Sequence, residues 1–125
     1  MAVRLNHTIV HSGQPEISAA FLARILGLPA PVRFAHFLTV ACANGVTLDY
    51  DQAAEVRAQH YAFLVDDYDF DPIFGRVQAE GIVFYADPGH VRPDEINRRD
   101  GGRGFYFSDP DGHNLEVLTR PYGSG

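Results

Sequence analysis

The sequence contains no lysine, and all ten of its Lys and Arg residues are arginine. This excludes any mechanism that forms a Schiff base on a lysine amine. The only cysteine, Cys42, cannot form an intrachain disulfide, and its apolar neighbours indicate a small core residue. No apolar run is long enough to cross a membrane, and no basic N-terminal segment precedes an apolar one. We therefore expect a cytoplasmic protein.

Positive charge is scarce overall. The chain has 16 acidic residues against 10 basic ones, a formal net charge of −6. Such a chain is poorly suited to bind nucleic acid or an anionic membrane surface. Its 125 residues, 46% of them hydrophobic, suffice for one domain or for two small fused modules.

The most distinctive stretch lies at 105–117, with the sequence FYFSDPDGHNLEV. The aromatic residues favour a strand, and the Asp-Pro-Asp-Gly that follows favours a tight turn, because proline fixes φ and glycine tolerates positive φ. In the strand after the turn, Asn114 and Glu116 share one face. A carboxylate among apolar strand residues requires a partner, and the rest of the chain must supply it.

The same order of elements is predicted in both halves of the chain. In the first half we expect a strand at 4–10, a helix at 16–26 that begins after Pro15 and ends at Gly27, a strand at 34–43, an Asn44-Gly45 hairpin turn and a strand at 46–50. Residues 51–57 form a polar linker. In the second half we expect strands at 59–65, 82–86, 103–108 and 113–119, with a helix at about 72–80 and a long polar loop at 87–102. This predicts a single domain, 1–125, made of module 1 (about 1–52) and module 2 (about 58–120).

Aligning the two halves places His7 over His60 and Asp49 over Glu116. In both final hairpins the acid comes four residues after the turn glycine. If the halves are related by pseudo-twofold symmetry, two imidazoles and two carboxylates converge on one divalent ion, for which Zn, Mn, Fe, Ni and Co all fit. Each residue also has an ordinary alternative: a histidine on a strand is more often structural, and Asp49 could protect an edge strand.

The chain resembles the vicinal oxygen chelate superfamily, which includes glyoxalase I, fosfomycin and bleomycin resistance proteins and extradiol dioxygenases. The resemblance is carried by segments 5–7, 21–28, 59–63 and 105–116. It implies an α+β fold in which two βαβββ modules form a cupped mixed sheet around a divalent metal ion, commonly in a homodimer. It also implies His7, His60 and Glu116 as metal ligands, with Asp49 at a variable fourth position.

The resemblance implies a metal-dependent enzyme of the glyoxalase/dioxygenase type, either a lyase or isomerase or a dioxygenase, that chelates vicinal oxygens of a small substrate. Asp49 is a fourth ligand or a general base, and Tyr106 donates a hydrogen bond to the substrate. Arg103, with the loop 87–102, is expected to receive an anionic group, and His36 to line the pocket. The alternative is a non-catalytic binding protein of the bleomycin-resistance type. The absence of lysine disfavours a fosfomycin-modifying activity.

Overall fold

The computed structural model describes residues 2–125, which divide into two compact units, one ending at Arg57 and the other covering Ala58–Gly125. The interpretation of these units as modules of a single domain stays a prediction. The first unit contains β1 (His7–Ser12), α1 (Pro15–Leu26), β2 (Val32–Phe34), β3 (Phe37–Ala41) and β4 (Thr47–Gln52). Its sheet has the order β1-β4-β3-β2, with β1 and β4 parallel and the other pairs antiparallel.

Helix α1 ends where its sequence predicts, at Leu26, and begins one residue earlier than predicted, at Pro15. Pro15 occupies the first turn, where a missing N–H costs nothing, and Gly27 ends the helix in the left-handed conformation with φ of 70°. The apolar side chains of Ala19, Leu22 and Ile25 are buried at helical spacing. This stripe packs the helix on the sheet of the first unit.

The apolar run predicted as one strand at 34–43 forms two strands instead. Ala35 has a φ of 53°, and the chain reverses at Ala35-His36 between β2 and β3. No glycine or asparagine marks this reversal, so the usual sequence signal for a two-residue hairpin turn is missing. The second reversal occurs at the predicted Asn44-Gly45, where Gly45 takes a φ of 87°, but the loop is longer than two residues: the N–H of Gly45 donates to the carbonyl of Cys42, and the N–H of Cys42 to the carbonyl of Val46.

The second unit contains β5 (His60–Leu64), α2 (Asp67–Ala79), a short 3₁₀ turn (Arg99–Gly101), β6 (Gly104–Ser108) and β7 (Asn114–Leu118). Its sheet has the order β5-β7-β6, with β5 and β7 parallel and β6 antiparallel to β7. Helix α2 begins five residues before the predicted start, because the backbone carbonyl of Asp66 accepts the N–H of Asp69 and of Phe70. Pro72 thus lies inside the helix.

The strand predicted at 82–86 is reduced to an isolated bridge. Tyr85 exchanges two backbone hydrogen bonds of 2.8 Å with Tyr106. The next N–H, of Ala86, donates to the carbonyl of Arg92 in the following loop. The backbone at Tyr85 therefore hydrogen-bonds to β6, while that of the next residue hydrogen-bonds to the loop.

The sheet of the second unit has two chemically different faces. One face packs on α2 through an aromatic cluster that includes Phe70, Phe105 and Phe107. Because side chains alternate along a strand, Tyr106 and Glu116, which are paired across β6 and β7, point to the other face. The face away from α2 therefore carries the polar residues.

The α+β fold class is confirmed, since residues 2–125 form two helices and seven strands in two mixed sheets. Neither helix in this part of the chain is both long and apolar enough to span a membrane.

Candidate metal centre

The parallel pair β1 and β4 has the same register as the parallel pair β5 and β7. This matches the alignment of the two halves of the sequence. In the first unit, Asp49 lies two positions beyond the residue that pairs with His7. In the second unit, Glu116 lies two positions beyond the residue that pairs with His60. Because residues two apart share a face of a strand, each unit presents its histidine and its acid on the same face of its sheet.

In the second unit these two side chains are in contact. The Nε2 atom of His60 lies 3.0 Å from Oε1 of Glu116, whose carboxylate is 1% exposed. The other ring nitrogen, Nδ1, lies 2.9 Å from the backbone carbonyl oxygen of Asn114. A carbonyl only accepts hydrogen bonds, so Nδ1 carries the proton and neutral His60 presents a bare Nε2 to the carboxylate. Two acceptors face each other, an arrangement that needs a proton or a cation to stabilise it.

This donor set fits a transition-metal ion. First-row metals bind imidazole nitrogen and carboxylate oxygen at about 2.0–2.2 Å, so two ligands at right angles on one ion lie about 3 Å apart. The separation of His60 and Glu116 matches that spacing. The bond from Nδ1 to a carbonyl is also the usual support of a metal-binding histidine. Ala62 pairs with Glu116 across the sheet, so its small side chain lies beside the carboxylate.

In the first unit, His7 is exposed and Nδ1 lies 2.7 Å from Oδ1 of Asn6. A side-chain oxygen at this position again leaves Nε2 unprotonated and able to bind a cation. Asp49 is 9% exposed, and its Oδ1 accepts a hydrogen bond of 2.8 Å from the Thr47 hydroxyl. The assignment of His7 and Asp49 to a metal site stays a prediction.

A relay of hydroxyl groups leads from Glu116 to an arginine. The Tyr122 hydroxyl lies 2.6 and 2.7 Å from the two carboxylate oxygens of Glu116 and 3.2 Å from the Tyr106 hydroxyl. Nη1 of Arg99 donates to the Tyr106 hydroxyl at 2.6 Å. Each hydroxyl can accept one bond and donate the next, so the relay ends on the carboxylate. Desolvation and then the bond to Glu116 raise the pKa of Tyr122.

The family resemblance indicated Tyr106, and the sequence offered Arg99 only as one of several sources of positive charge, whereas Tyr122 was not identified. No pattern in the sequence places Tyr122 beside Glu116, because its backbone lies past the last strand and is held by long-range contacts such as the N–H of Gly123 to Asp100 Oδ2. Arg99 belongs to the loop 87–102 that was expected to receive an anion. Its position in that loop was the only available signal.

Arg103 lies on the opposite face of the sheet from Tyr106. Its guanidinium is 2.7 Å from Asp71 and 3.2 Å from Asp67, and it covers the ring of Phe70 at 4.2 Å. Arg103 therefore stabilises the packing of α2 on the sheet, and its side chain does not lie on the sheet face that carries Tyr106. Its predicted contact with an anionic substrate stays untested.

His36 lies in the exposed turn between β2 and β3. Its ring contacts Phe37 with centroids 4.0 Å apart, and Nε2 is 3.6 Å from Oδ1 of Asp51. These contacts explain its position within the first unit. Its role in a substrate pocket stays a prediction.

A second group that could hold a metal ion by distance is formed by Asp109, Asp111 and His113, whose ligand atoms lie within 4.8 Å of one another. However, Oδ1 of Asp109 accepts the backbone N–H groups of Asp111 and His113, which stabilises the turn. Nδ1 of His113 accepts the N–H of Gln59, so the proton of the neutral ring is on Nε2 and neither nitrogen has a free lone pair. Burial raises the pKa of Asp109. This group is a weaker metal site than His60 with Glu116.

Comparisons with known proteins agree with these features. A family model described as the Glyoxalase/Bleomycin resistance protein/Dioxygenase superfamily matches residues 4–117. A protein of Serratia marcescens named glutathione transferase FosA is 31% identical over 124 residues, which cover 94% of this chain and 81% of that protein.

Two solved structures are more similar still. Oxidase ChaP-H1 is 60% identical with a TM-score of 0.95, covering 98% of this chain and 99% of that one. Oxidase ChaP-H2 is 56% identical with a TM-score of 0.97, covering 100% and 99%. Members of the matched superfamily use divalent metal ions and bind small-molecule substrates. The chain therefore belongs to the vicinal oxygen chelate superfamily, the group of glyoxalases, bleomycin resistance proteins and dioxygenases that its sequence motifs indicated.

Proposed function

We propose that this protein is a metal-dependent oxidase that binds two neighbouring oxygen atoms of a small substrate on a divalent ion. The observation that carries the proposal is the contact of His60 Nε2 with Glu116 Oε1, 3.0 Å apart on the sheet face away from α2. The similarity to two oxidases over nearly the full chain supports oxidation rather than isomerisation.

The proposed ligands are His60, Glu116 and His7, with Asp49 as a fourth ligand or as the base that removes a substrate proton. His60 and Glu116 rest on their contact, whereas His7 and Asp49 rest on the equivalent register of the two units. An oxidase needs an ion that changes its oxidation state, which favours Fe, Mn or Co over Zn. The ion, when bound, supplies a Lewis acid that polarises the substrate oxygens.

The protein residues around the ligands have separate tasks. Glu116 is held by buried neighbours and accepts the Tyr122 hydroxyl, so its carboxylate is oriented before any ligand arrives. The hydroxyl of buried Tyr106 is fixed by Arg99 and faces the same side of the sheet as Glu116. We propose that Tyr106 donates to a substrate oxygen once that oxygen replaces the Tyr122 hydroxyl. We further propose that the protein acts in the cytoplasm as a homodimer.

Metal binding tests the site first. We expect purified wild-type protein to bind Co²⁺ or Fe²⁺ with one ion per chain, measured by elemental analysis and calorimetry. Replacing a ligand in His60→Ala, Glu116→Gln or His7→Ala should weaken binding by about 100-fold or more, since even changes behind the ligands cost 10–100-fold. His36→Ala serves as the matched control, because it removes an exposed imidazole and should leave metal binding unchanged. Undiminished binding in Glu116→Gln and His60→Ala contradicts the assignment.

Activity tests the reaction class. Metal-loaded wild-type protein should consume oxygen with a set of catechols and hydroxyquinones faster than the Glu116→Gln variant does under the same conditions. Two parallel assays, methylglyoxal with glutathione and fosfomycin with glutathione, report on the lyase and transferase reactions of related proteins. We expect no turnover in either. Tight metal and ligand binding without any turnover would instead support the binding-protein alternative.

A further inference from the structure

We propose that Arg99 is the anion-recognition residue of this site, and that the substrate carries an anionic oxygen group, a carboxylate or a phenolate, beside its two chelating oxygens. This inference rests on the proposed function and specifies its substrate class. It transfers to Arg99 the role that the sequence suggested for Arg103.

The contacts of Arg99 leave most of its hydrogen-bonding capacity available. Nη1 donates to the Tyr106 hydroxyl at 2.6 Å, and the guanidinium carbon lies 5.5 Å from the centre of that ring. A guanidinium has five N–H donors in a planar fork, and the Arg99 residue is exposed. The fork is therefore anchored at one end on a buried hydroxyl and open at the other.

The backbone places Arg99 with little freedom. Its N–H lies 3.3 Å from Oδ1 of Asn97, and its carbonyl accepts the N–H of Gly102 at 2.9 Å. The two residues between, Asp100 and Gly101, both have positive φ, of 55° and 77°. Since a left-handed conformation at Asp100 is uncommon, the surrounding contacts must hold this turn in one shape. A preorganised arginine loses less entropy when it binds a ligand.

In the part of the chain that the structure describes, the charge of Arg99 is not neutralised by an ion pair, in contrast to that of Arg103 and Arg92. Arg103 pairs with Asp67 and Asp71, and Arg92 pairs with Glu95 at 2.9 Å. Arg99 instead has a neutral hydroxyl as its hydrogen-bond partner, so within residues 2–125 no carboxylate contacts it directly to cancel its charge.

The position of Arg99 connects this charge to the metal ligands. Its bond to Tyr106, with the further bonds from Tyr106 to Tyr122 and from Tyr122 to Glu116, puts the guanidinium three hydrogen bonds from the carboxylate. A small aromatic molecule can span such a distance with two oxygens on the ion and a third, charged oxygen on the arginine. Arginine binds carboxylates and other oxyanions through paired N–H donors, which sets the chemical class of this third group.

The experiment compares two probes on the Co²⁺-loaded protein, catechol and 3,4-dihydroxybenzoate, by calorimetry and by the visible absorption of the cobalt. We expect wild-type protein to bind 3,4-dihydroxybenzoate about tenfold or more tightly than catechol, in line with a charge-assisted hydrogen-bonded pair. Arg99→Gln should abolish this preference, and Arg99→Lys should retain part of it. Arg98→Gln is the matched control, because it removes the charge of the exposed neighbouring arginine and should keep the full preference.

The outcomes separate this inference from the proposed function. Co²⁺ binding with equal affinity for the two probes in wild-type protein overturns the role of Arg99 alone. An equal loss of the preference in Arg98→Gln and Arg99→Gln also overturns that role, since only the overall charge then matters. Failure to bind Co²⁺ at all overturns the proposed function and this inference together. If Arg99→Gln unfolds, a wild-type-like preference in a folded Arg99→Lys contradicts the need for the planar fork.

Discussion

His60 Nε2 lies within hydrogen-bond distance of Glu116, and in the neutral ring both atoms are acceptors because Nδ1 donates its proton to the carbonyl of Asn114. A metal ion stabilises this arrangement, and so does a hydrogen-bond donor placed on one of the two side chains. Substituting the Glu116 carboxylate by an amide therefore distinguishes stabilisation by a metal ion from stabilisation by a hydrogen-bond donor.

We predict that Glu116→Gln stabilises the metal-free protein while removing its response to metal. The amide can donate to His60 Nε2 and its oxygen can still accept the Tyr122 hydroxyl. A new hydrogen bond of about 1 kcal/mol corresponds to a rise of about 4 °C in the melting temperature of a domain of this size. Thermal unfolding with and without Co²⁺ measures both effects. Glu55→Gln, at an exposed position, is the control, and a melting temperature that still rises with metal in Glu116→Gln would contradict the prediction.

The hydroxyl of Tyr122 competes with any ion that approaches the Glu116 carboxylate. We predict that Tyr122→Phe increases metal affinity by up to about tenfold, because a hydrogen bond to a charged group contributes roughly 1.5 kcal/mol that metal binding must otherwise replace. Calorimetric titration with Co²⁺ gives the comparison. Tyr68→Phe removes a hydroxyl from a tyrosine that is 88% exposed and should have no effect. Weaker binding in Tyr122→Phe would show that the hydroxyl supports the metal instead.

Arg103 is expected to contribute to stability and not to ligand binding. Arg103→Gln removes its ion pairs with Asp67 and Asp71 and its contact with the face of Phe70, at a cost of about 1 kcal/mol. Urea unfolding measures this loss, with Arg98→Gln as the charge-matched control. Because the ion pairs are on exposed carboxylates, high salt should reduce the difference. A normal stability with a large loss of 3,4-dihydroxybenzoate affinity, and no loss of catechol affinity, would restore the role that the sequence suggested.

Asp109 makes the stability of the fold depend on pH. Burial raises its pKa, so the protonated form is favoured in the folded state, and the stabilisation is complete at pH values below the unfolded-state pKa. It is lost as the pH rises through the folded-state pKa. Asp109→Asn keeps the acceptor oxygen for the N–H groups of Asp111 and His113 but cannot ionise. We predict that the stability of this variant relative to wild type increases as the pH is raised from about 3.5 to about 7. Urea unfolding at each pH measures the trend, which Glu55→Gln should not show.

Much of the fold could be predicted from the sequence because its signals are local. Pro15 and Gly27 define the limits of α1, and Gly45 marks a hairpin turn through its backbone freedom. The reversal at Ala35 could not be predicted, since alanine carries no preference for positive φ and tertiary contacts must impose it. The early start of α2 was also missed. A proline is expected in the first turn of a helix, whereas here Pro72 lies five residues after the start.

Apart from Tyr106, which the family resemblance indicated, the candidate site was predictable only where two residues occupy repeated positions on strands. His60 and Glu116 met this condition, and the structure shows them in contact. Tyr122 and Arg99 are brought to Glu116 and Tyr106 by a tail and a loop, where residue spacing contains no information about which atoms meet. Arg103 illustrates the converse, since its place beside β6 was foreseen but the face on which its side chain lies was not.

The shared register of the two strand pairs places a histidine and an acid at corresponding positions in each half, and the two acids differ in length. The acid of the second copy, Glu116, has one more methylene than Asp49 at the same position of the first. The longer side chain extends its oxygens further from the backbone, whereas the shorter one keeps them nearer to it. Under the proposed function, the longer acid then reaches the ion while the shorter one is left to remove a substrate proton.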